Sequence, residues 1–243
     1  MILRPRGRRT LRRAARFVLD GLMPPLCPGC GIELSGARWV CGACRRRFRP
    51  APAEPVCFRC RREERPGGDR EAGRRCRHRD HAPWRGRAAY WMEPPLDAVV
   101  HALKYGGRDD LARPLGRLLA AGIGDPPSGA LAVPVPLHPR RLRERGYNQA
   151  LLLARAAGVR WGAPAAAVVM RTTATPPQAR LPESRRRENV RGAFAVPEPA
   201  VVRGRFFVLV DDVVTTGSTL VEAAQALYGA GASRVVPVAL AMA

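Results

Sequence analysis

Apolar positions follow two alternating periods along the C-terminal two-thirds of the chain. The run "PPLDAVVHALKY" opens with proline and places apolar residues at 96, 99, 100 and 103, which predicts a helix. "DDLARPLGRLLAAG" predicts a second, with Leu111, Leu115, Leu118 and Leu119 on one stripe and Pro114 in its first turn. Residues 130–137, "ALAVPVPL", read as a strand whose Pro134 and Pro136 mark an end opening into a loop. A basic loop and a helix through "RGYNQALLLARAAG" follow, then a strand at 165–170 and a long polar stretch over 171–194. "RFFVLV" predicts a strand, "STLVEAAQALYGAG" a helix and "SRVVPVALAMA" a last strand. Strands alternating with helices imply an α/β fold with a mostly parallel sheet covered on both faces. Ligands of such sheets bind beyond the carboxyl ends of the strands.

The first 90 residues differ. Leu11, Ala15, Val18 and Leu22 share one helical face, so an N-terminal helix is expected within residues 1–25. Asp20 interrupts the apolar stretch and no small-residue cleavage site precedes Cys27, which argues against a signal peptide. No apolar run approaches the ~20 residues needed to span a bilayer, so no stable membrane insertion and a cytoplasmic location are expected. The net charge is +22. Residues 1–90 hold 23 arginines against 8 acids, a basic excess that fits either nucleic-acid contact or a compositional preference for arginine. Against that preference one lysine stands out, Lys104, where a compact ammonium on a flexible stem replaces the planar guanidinium.

All seven cysteines lie between residues 27 and 76. Cys27 with Cys30, and Cys41 with Cys44, form two C-x2-C knuckles. Two intervening residues let both thiolates wrap one tetrahedral ion, so these four predict a structural zinc site. Cys57, Cys60, Cys76 and a histidine, His78 or His81, would make a second; pairing across knuckles is the alternative. Disulfides fit poorly with an odd cysteine count and no secretion signal. The knuckles do not open helices after strands, as redox pairs do, and four-sulfur sets leave no open catalytic position. A segment this poor in large apolar residues would draw most of its folding energy from metal. The expected divisions are residues 1–25, a double zinc ribbon over 26–90 and a ligand-binding domain over 91–243.

The chemistry concentrates in "VLVDDVVTTGSTL". Asp211 and Asp212 end a buried strand, where two carboxylates can accept from a vicinal diol or approach Mg²⁺. The turn that follows, leading into a helix, offers successive backbone N–H groups and hydroxyls, a cradle for phosphate. Diol acceptors beside a phosphate cradle describe a ribose 5-phosphate. A nucleotide-hydrolysing alternative would need G-x4-G-K-[ST], and a dinucleotide fold G-x-G-x-x-G; both are absent.

That thirteen-residue stretch resembles the phosphoribosyl diphosphate (PRPP) motif of type I phosphoribosyltransferases. The knuckles, "HALKYGGRDDLA", "VPVPLHPRRLRERGYNQA" and "RTTATPPQARLPESRRRENVRGAF" are collinear with the ComF family, competence-associated proteins that join a double zinc ribbon to a Rossmann-like type I phosphoribosyltransferase domain. The resemblance covers about residues 15–243. It implies that Asp211 and Asp212 hold the ribose hydroxyls with Mg²⁺ nearby. Val213, Val214, Thr215, Thr216, Gly217, Ser218 and Thr219 would form the 5-phosphate loop. Val135, Pro136 and Leu137 would line the pyrophosphate side, and Lys104 would reach a phosphate from the opposite side. Arg145, Gly146, Tyr147, Asn148 and Gln149 form a family signature. Arg171, Gln178, Arg186 and Asn189 fall in a mobile hood loop of such enzymes. The implied activity is phosphoribosyl transfer from PRPP to an acceptor that no residue identifies. The alternative is an accessory role in DNA uptake, with the zinc ribbon contacting single-stranded DNA or a helicase or channel protein of the uptake machinery.

Overall fold

The computed structural model describes residues 25–58, 85–172 and 192–243. The expected helix within residues 1–25 lies outside them. A short helix, Gly42–Arg46 (α1), carries the second knuckle, and Val56–Cys57 (β1) follows it. Strand Arg85–Trp91 (β2) leads to helices Leu96–Tyr105 (α2) and Ala112–Ile123 (α3). Leu131–Pro134 (β3) comes next, then helices Pro139–Arg145 (α4) and Gln149–Trp161 (α5). Met170–Arg171 (β4) pairs antiparallel with Phe194–Ala195 (β5). Phe206–Val214 (β6), helix Ser218–Gly229 (α6) and Arg234–Met242 (β7) close the chain.

The main sheet runs β1-β2-β7-β6-β3. Its pairings are parallel except β1 against β2. β6 and β7 lie at the centre, in register from Phe206 opposite Arg234 to Val214 opposite Met242. Their side chains alternate between the two faces, as strand geometry requires. Val208 and Val210 of β6, with Val238 and Leu240 of β7, pack against Leu103, Leu115, Leu119 and Leu153 of α2, α3 and α5. Phe207, Leu209 and Ala239 face Leu220, Ala224 and Leu227 of α6. Each such leucine or phenylalanine contributes about 1.5–3 kcal/mol by leaving water. Both faces are thus covered, and the α/β architecture matches the one the periodicity predicts.

Four local features differ from the sequence expectation. β2 was not anticipated. Its pattern, Arg-Gly-Arg-Ala-Ala-Tyr-Trp, has few β-branched residues, yet it joins the main sheet beside β7. The sheet therefore begins before the expected division at residue 90. The basic stretch before α5 contains α4, which has Pro139 in its first turn and His138 Nδ1 accepting from Arg140 N at 3.2 Å. The strand expected over 165–170 is reduced to a bridge from Ala165 to Ala132 and the β4 pairing of Met170. Its alanines have little to pack on either face of a sheet. Finally, β6 runs four residues past "RFFVLV", so Asp211 and Asp212 lie within the strand, Asp211 opposite Ala239.

The cysteine-rich segment shares the main core. Cys27, Leu34, Val40, Cys44 and Phe48 cluster with Leu96, Val99 and Val100 of α2. Phe58, just past β1, is buried against β2 and the loop after β6. A Cβ on Gly86 would come within 2.3 Å of the Phe58 ring and 2.4 Å of the Pro237 carbonyl oxygen. The carbonyl is backbone of a central strand and cannot give way. Gly86→Ala is expected to lower stability by about 1–3 kcal/mol, the usual cost of overpacking, measured as the shift in a urea unfolding midpoint.

Candidate functional site

The first metal site is built by two turns and a helix end. Cys27 and Cys30 flank a turn in which the Gly31 amide donates to the Cys27 carbonyl at 2.8 Å. Cys41 caps α1, its sulfur accepting from Cys44 N at 3.3 Å. The Cys41 amide in turn donates to Cys27 Sγ at 3.4 Å. All four sulfurs lie within 4.8 Å of one another, and Cys30 and Cys41 Sγ are 3.7 Å apart. Tetrahedral zinc with bonds of about 2.3 Å sets sulfur separations near 3.8 Å. None of the four is in a disulfide. Burial pushes the Cys44 thiol far up, and the neighbouring thiols add to it. Burial also pushes Cys27 up, but amide donors from Cys41, Gly29 and Cys30 outweigh it and bring that thiol down to about 7. A divalent cation relieves this crowding, so the donor set fits structural zinc. Of the second expected set, Cys57 is buried in β1. Cys60, Cys76, His78 and His81 lie outside the described residues.

At the carboxyl end of β6, Lys104 Nζ stands 3.0 Å from Asp212 Oδ1, with side-chain exposures of 20% and 5%. Asp212 Oδ1 also accepts from the Val213 amide at 2.6 Å, and Asp211 Oδ1 from the Asp212 amide at 2.9 Å. Asp212 Oδ2 is buried without a hydrogen-bond partner. An unmatched buried acceptor is costly, and a ligand hydroxyl or cation would satisfy it. Burial raises Asp211, the charge of Asp212 raises it further, and Lys104, the Asp212 amide and Arg171 pull it back, leaving it at about 7.

Beyond the acids, Val213 and Val214 finish the strand and Thr215–Gly217 turn into α6. Gly217 has φ of +72° and begins α6 without a side-chain cap. A Cβ there would also sit 2.4 Å from Phe58 Cβ, so both conformation and contact demand glycine. Thr216 Oγ1 and Ser218 Oγ are 3.0 Å apart and buried. A helix start opened by glycine and flanked by hydroxyls, with Ser218 N donating to Thr216 Oγ1 at 3.5 Å, suits an anion. Thr219 lies in the first turn of α6.

Two cations act on the acids, Lys104 beside Asp212 and Arg171 near Asp211, and further arginines stand behind them. Arg171 in β4 is buried against the Phe194 ring at 5.4 Å. Burial and the charge of Arg141 bring its guanidinium down to about 10, while Asp211 holds it up. Arg141 on α4 is lowered by burial and by Arg145. Arg145 itself lies 5.0 Å over the Tyr105 ring and donates to Gln149 Oε1 at 2.5 Å. Val135 is tied to β6 through the Val210 carbonyl at 2.8 Å, and Pro136 and Leu137 continue from it. Arg186, Gln178 and Asn189 lie outside the described residues. Sequence reasoning missed Arg141 and Phe58. Arg141 was one arginine among many, and Phe58 stands between two cysteines that drew the attention.

Fold and site together define a mostly parallel α/β protein whose strand ends carry a carboxylate pair and a hydroxyl-rich turn opening a helix, with a thiolate knuckle packed on its core. Residues 18–78 match the model of the double zinc ribbon domain. The DNA utilization protein YhgH of Escherichia coli strain CFT073 is 34% identical over 223 residues, 86% of this chain and 81% of the relative. Its namesake in Salmonella typhi is 34% identical over 88% of this chain and 95% of its own. Competence protein F of Haemophilus influenzae is 34% identical over 58% of this chain and 65% of its own. Among solved structures, a glutamine phosphoribosylpyrophosphate amidotransferase from B. subtilis, complexed with ADP and GMP, matches with a TM-score of 0.37 and 19% identity, covering 53% of this chain and 26% of its own. The chain belongs to the ComF family. No helix among the described residues is long and apolar enough to cross a membrane.

Two outcomes are expected. Cys44→Ser should lower zinc content, read by mass spectrometry of the purified chain, and lower the melting temperature, because the knuckle shares its core with α2. Asp211, held at about 7, binds its proton more tightly folded than unfolded. Its contribution to stability is therefore greatest below the ordinary carboxylate range and declines as pH rises through 7. Asp211→Asn should gain stability relative to the parent at pH 8 and lose that advantage at pH 5, in paired urea titrations.

Proposed function

We propose that the chain binds PRPP with Mg²⁺ at the carboxyl end of β6 and transfers the phosphoribosyl group to an acceptor. The observation that carries this reading is the pairing of a buried, under-satisfied Asp212 and its neighbour Asp211 with a glycine-opened, hydroxyl-flanked helix start five residues on. The carboxylates accept the two ribose hydroxyls. The Thr215–Thr219 turn takes the 5-phosphate on amides and hydroxyls. Lys104, Arg141 and Arg171 bring positive charge to a site whose ligand carries a phosphate and a diphosphate. Mg²⁺, held on the carboxylate side with the sugar hydroxyls and diphosphate, would supply charge neutralisation for the leaving group.

The transfer forms a bond from the acceptor's nucleophile to C1 of the ribose and breaks the C1–O bond to diphosphate, which departs with the electron pair. Positive charge develops on the sugar and negative charge on the diphosphate, and the flanking carboxylates and cations match those signs. Isothermal titration of the zinc-loaded chain with PRPP and Mg²⁺ tests the reading. Micromolar affinity is expected, lost in the Asp211→Asn/Asp212→Asn variant; an intact chain that does not bind sinks it.

A second reading, contact with single-stranded DNA through the cysteine-rich segment, has one observation in its favour. A cleft of about 560 Å³ between the first knuckle and α3 is lined by Arg38, Trp39, Arg108, Arg113 and Arg117. Arg108 is held by Asp110 at 2.9 Å. Among the described residues, Arg38, Arg113 and Arg117 have no carboxylate at ion-pair distance. Guanidinium groups for phosphates and an indole for a base are the parts a single-strand site uses. An oligonucleotide titration of the full chain at several salt concentrations should show log affinity falling with log salt, by about 0.7 per phosphate contact. The Arg113→Ala/Arg117→Ala variant should flatten that slope.

A further inference from the structure

Lys104 is the only lysine in the chain, and the residues on both sides of it are held by one five-residue segment. On one side, the Tyr147 hydroxyl donates to the Leu103 carbonyl. That carbonyl belongs to the last turn of α2, where Gly106 N and Arg108 N both bond the Ala102 carbonyl instead. Tyr147 thus supplies a donor that the helix end lacks. On the other side, the Arg145 guanidinium lies 5.0 Å over the ring of Tyr105. Arg145 is itself fixed by Gln149 Oε1 at 2.5 Å. Between them Asn148 secures the segment. Its Oδ1 accepts from Ala150 N at 3.0 Å and Leu151 N at 3.4 Å, capping α5. Its Nδ2 donates to the Val135 carbonyl at 3.0 Å.

We infer that Tyr147 and Arg145 are positioning residues that hold Lys104 against Asp212 by gripping Leu103 and Tyr105. This rests on reading the Lys104–Asp212 pair as part of the sugar-phosphate site. A lysine side chain has four rotatable carbons and loses up to ~2 kcal/mol of rotamer freedom when fixed. Its charge is delivered to one place only if the backbone beneath it is fixed. α2 ends at Tyr105, so without the clasp its last turn would fray as helix ends do. Asn148 ties the same segment to Val135, whose amide bonds the Val210 carbonyl of β6. One segment therefore links the end of α2 to the chain that leaves β3.

The single lysine makes the test direct. Lysine labelled with carbon-13 at Cε gives one lysine resonance in the full-length, zinc-loaded chain. Tyr147→Phe and Arg145→Met are expected to move or broaden that resonance toward the exposed-lysine position. They should also weaken PRPP binding in the presence of Mg²⁺ by about three- to tenfold, the range for one lost hydrogen bond. Tyr228→Phe is the control. Its hydroxyl also bonds backbone, accepting from Val235 N at 3.0 Å, on α6 away from Lys104. A Lys104 resonance unmoved in both clasp variants, or displaced equally in Tyr228→Phe, would overturn the inference. If the parent chain does not bind PRPP, the proposed function falls, while the lysine resonance still decides the positioning role.

Discussion

The ion pair between Lys104 and Asp212 constrains much of what surrounds it. Two charges taken out of water cost several kcal/mol each, and attraction repays that only where the geometry is held. Here the carboxylate sits in the central strand and the ammonium at the end of a helix packed across the sheet. The pair therefore requires α2 to stay at a fixed height over β6. Two contacts serve that end. Gly29 in the first knuckle lies against Pro95 at the start of α2, so close that a Cβ would come within 2.9 Å. The segment from Arg145 to Gln149 grips the other end.

The zinc knuckle is then more than an appendage. Its cysteines are buried in the same cluster as the leucines of α2 and α3. The arrangement links the knuckle to the strand-end carboxylates through α2, because a loosened knuckle would release the start of that helix. A second link comes from Phe58, which fills the space left by two glycines, Gly86 in β2 and Gly217 in the anion loop. The residue beside Cys57 thus buttresses the turn that opens α6.

The electrostatics of the site follow from the same economy of space. Two adjacent carboxylates in a half-dry strand end cannot both ionise freely, so Asp211 is raised while Asp212 keeps its lysine. Behind the acids the arginines crowd one another: burial and Arg141 depress the guanidinium of Arg171, while burial and Arg145 depress that of Arg141. Such a concentration of partly buried charge is costly in the free protein.

What the sequence determined by itself was local. Apolar periodicity named β6, β7 and the long helices, since a face that must be buried leaves its repeat in the chain. Paired thiols two residues apart and a carboxylate pair before a Thr-Thr-Gly-Ser-Thr turn were equally readable, because each chemistry needs its atoms within one turn of backbone. The tertiary structure decided what depends on contacts distant in sequence. β2 was invisible because its alanines and arginines become a strand only beside β7. The alanines of 165–170 had the look of a strand but lacked the bulk to fill one. The role of "RGYNQ" could not be read from spacing, since its partners, Leu103, Tyr105 and Val135, lie 13 to 44 residues away. Spacing along the chain reports which groups can share a turn; which turns share a site is settled by packing.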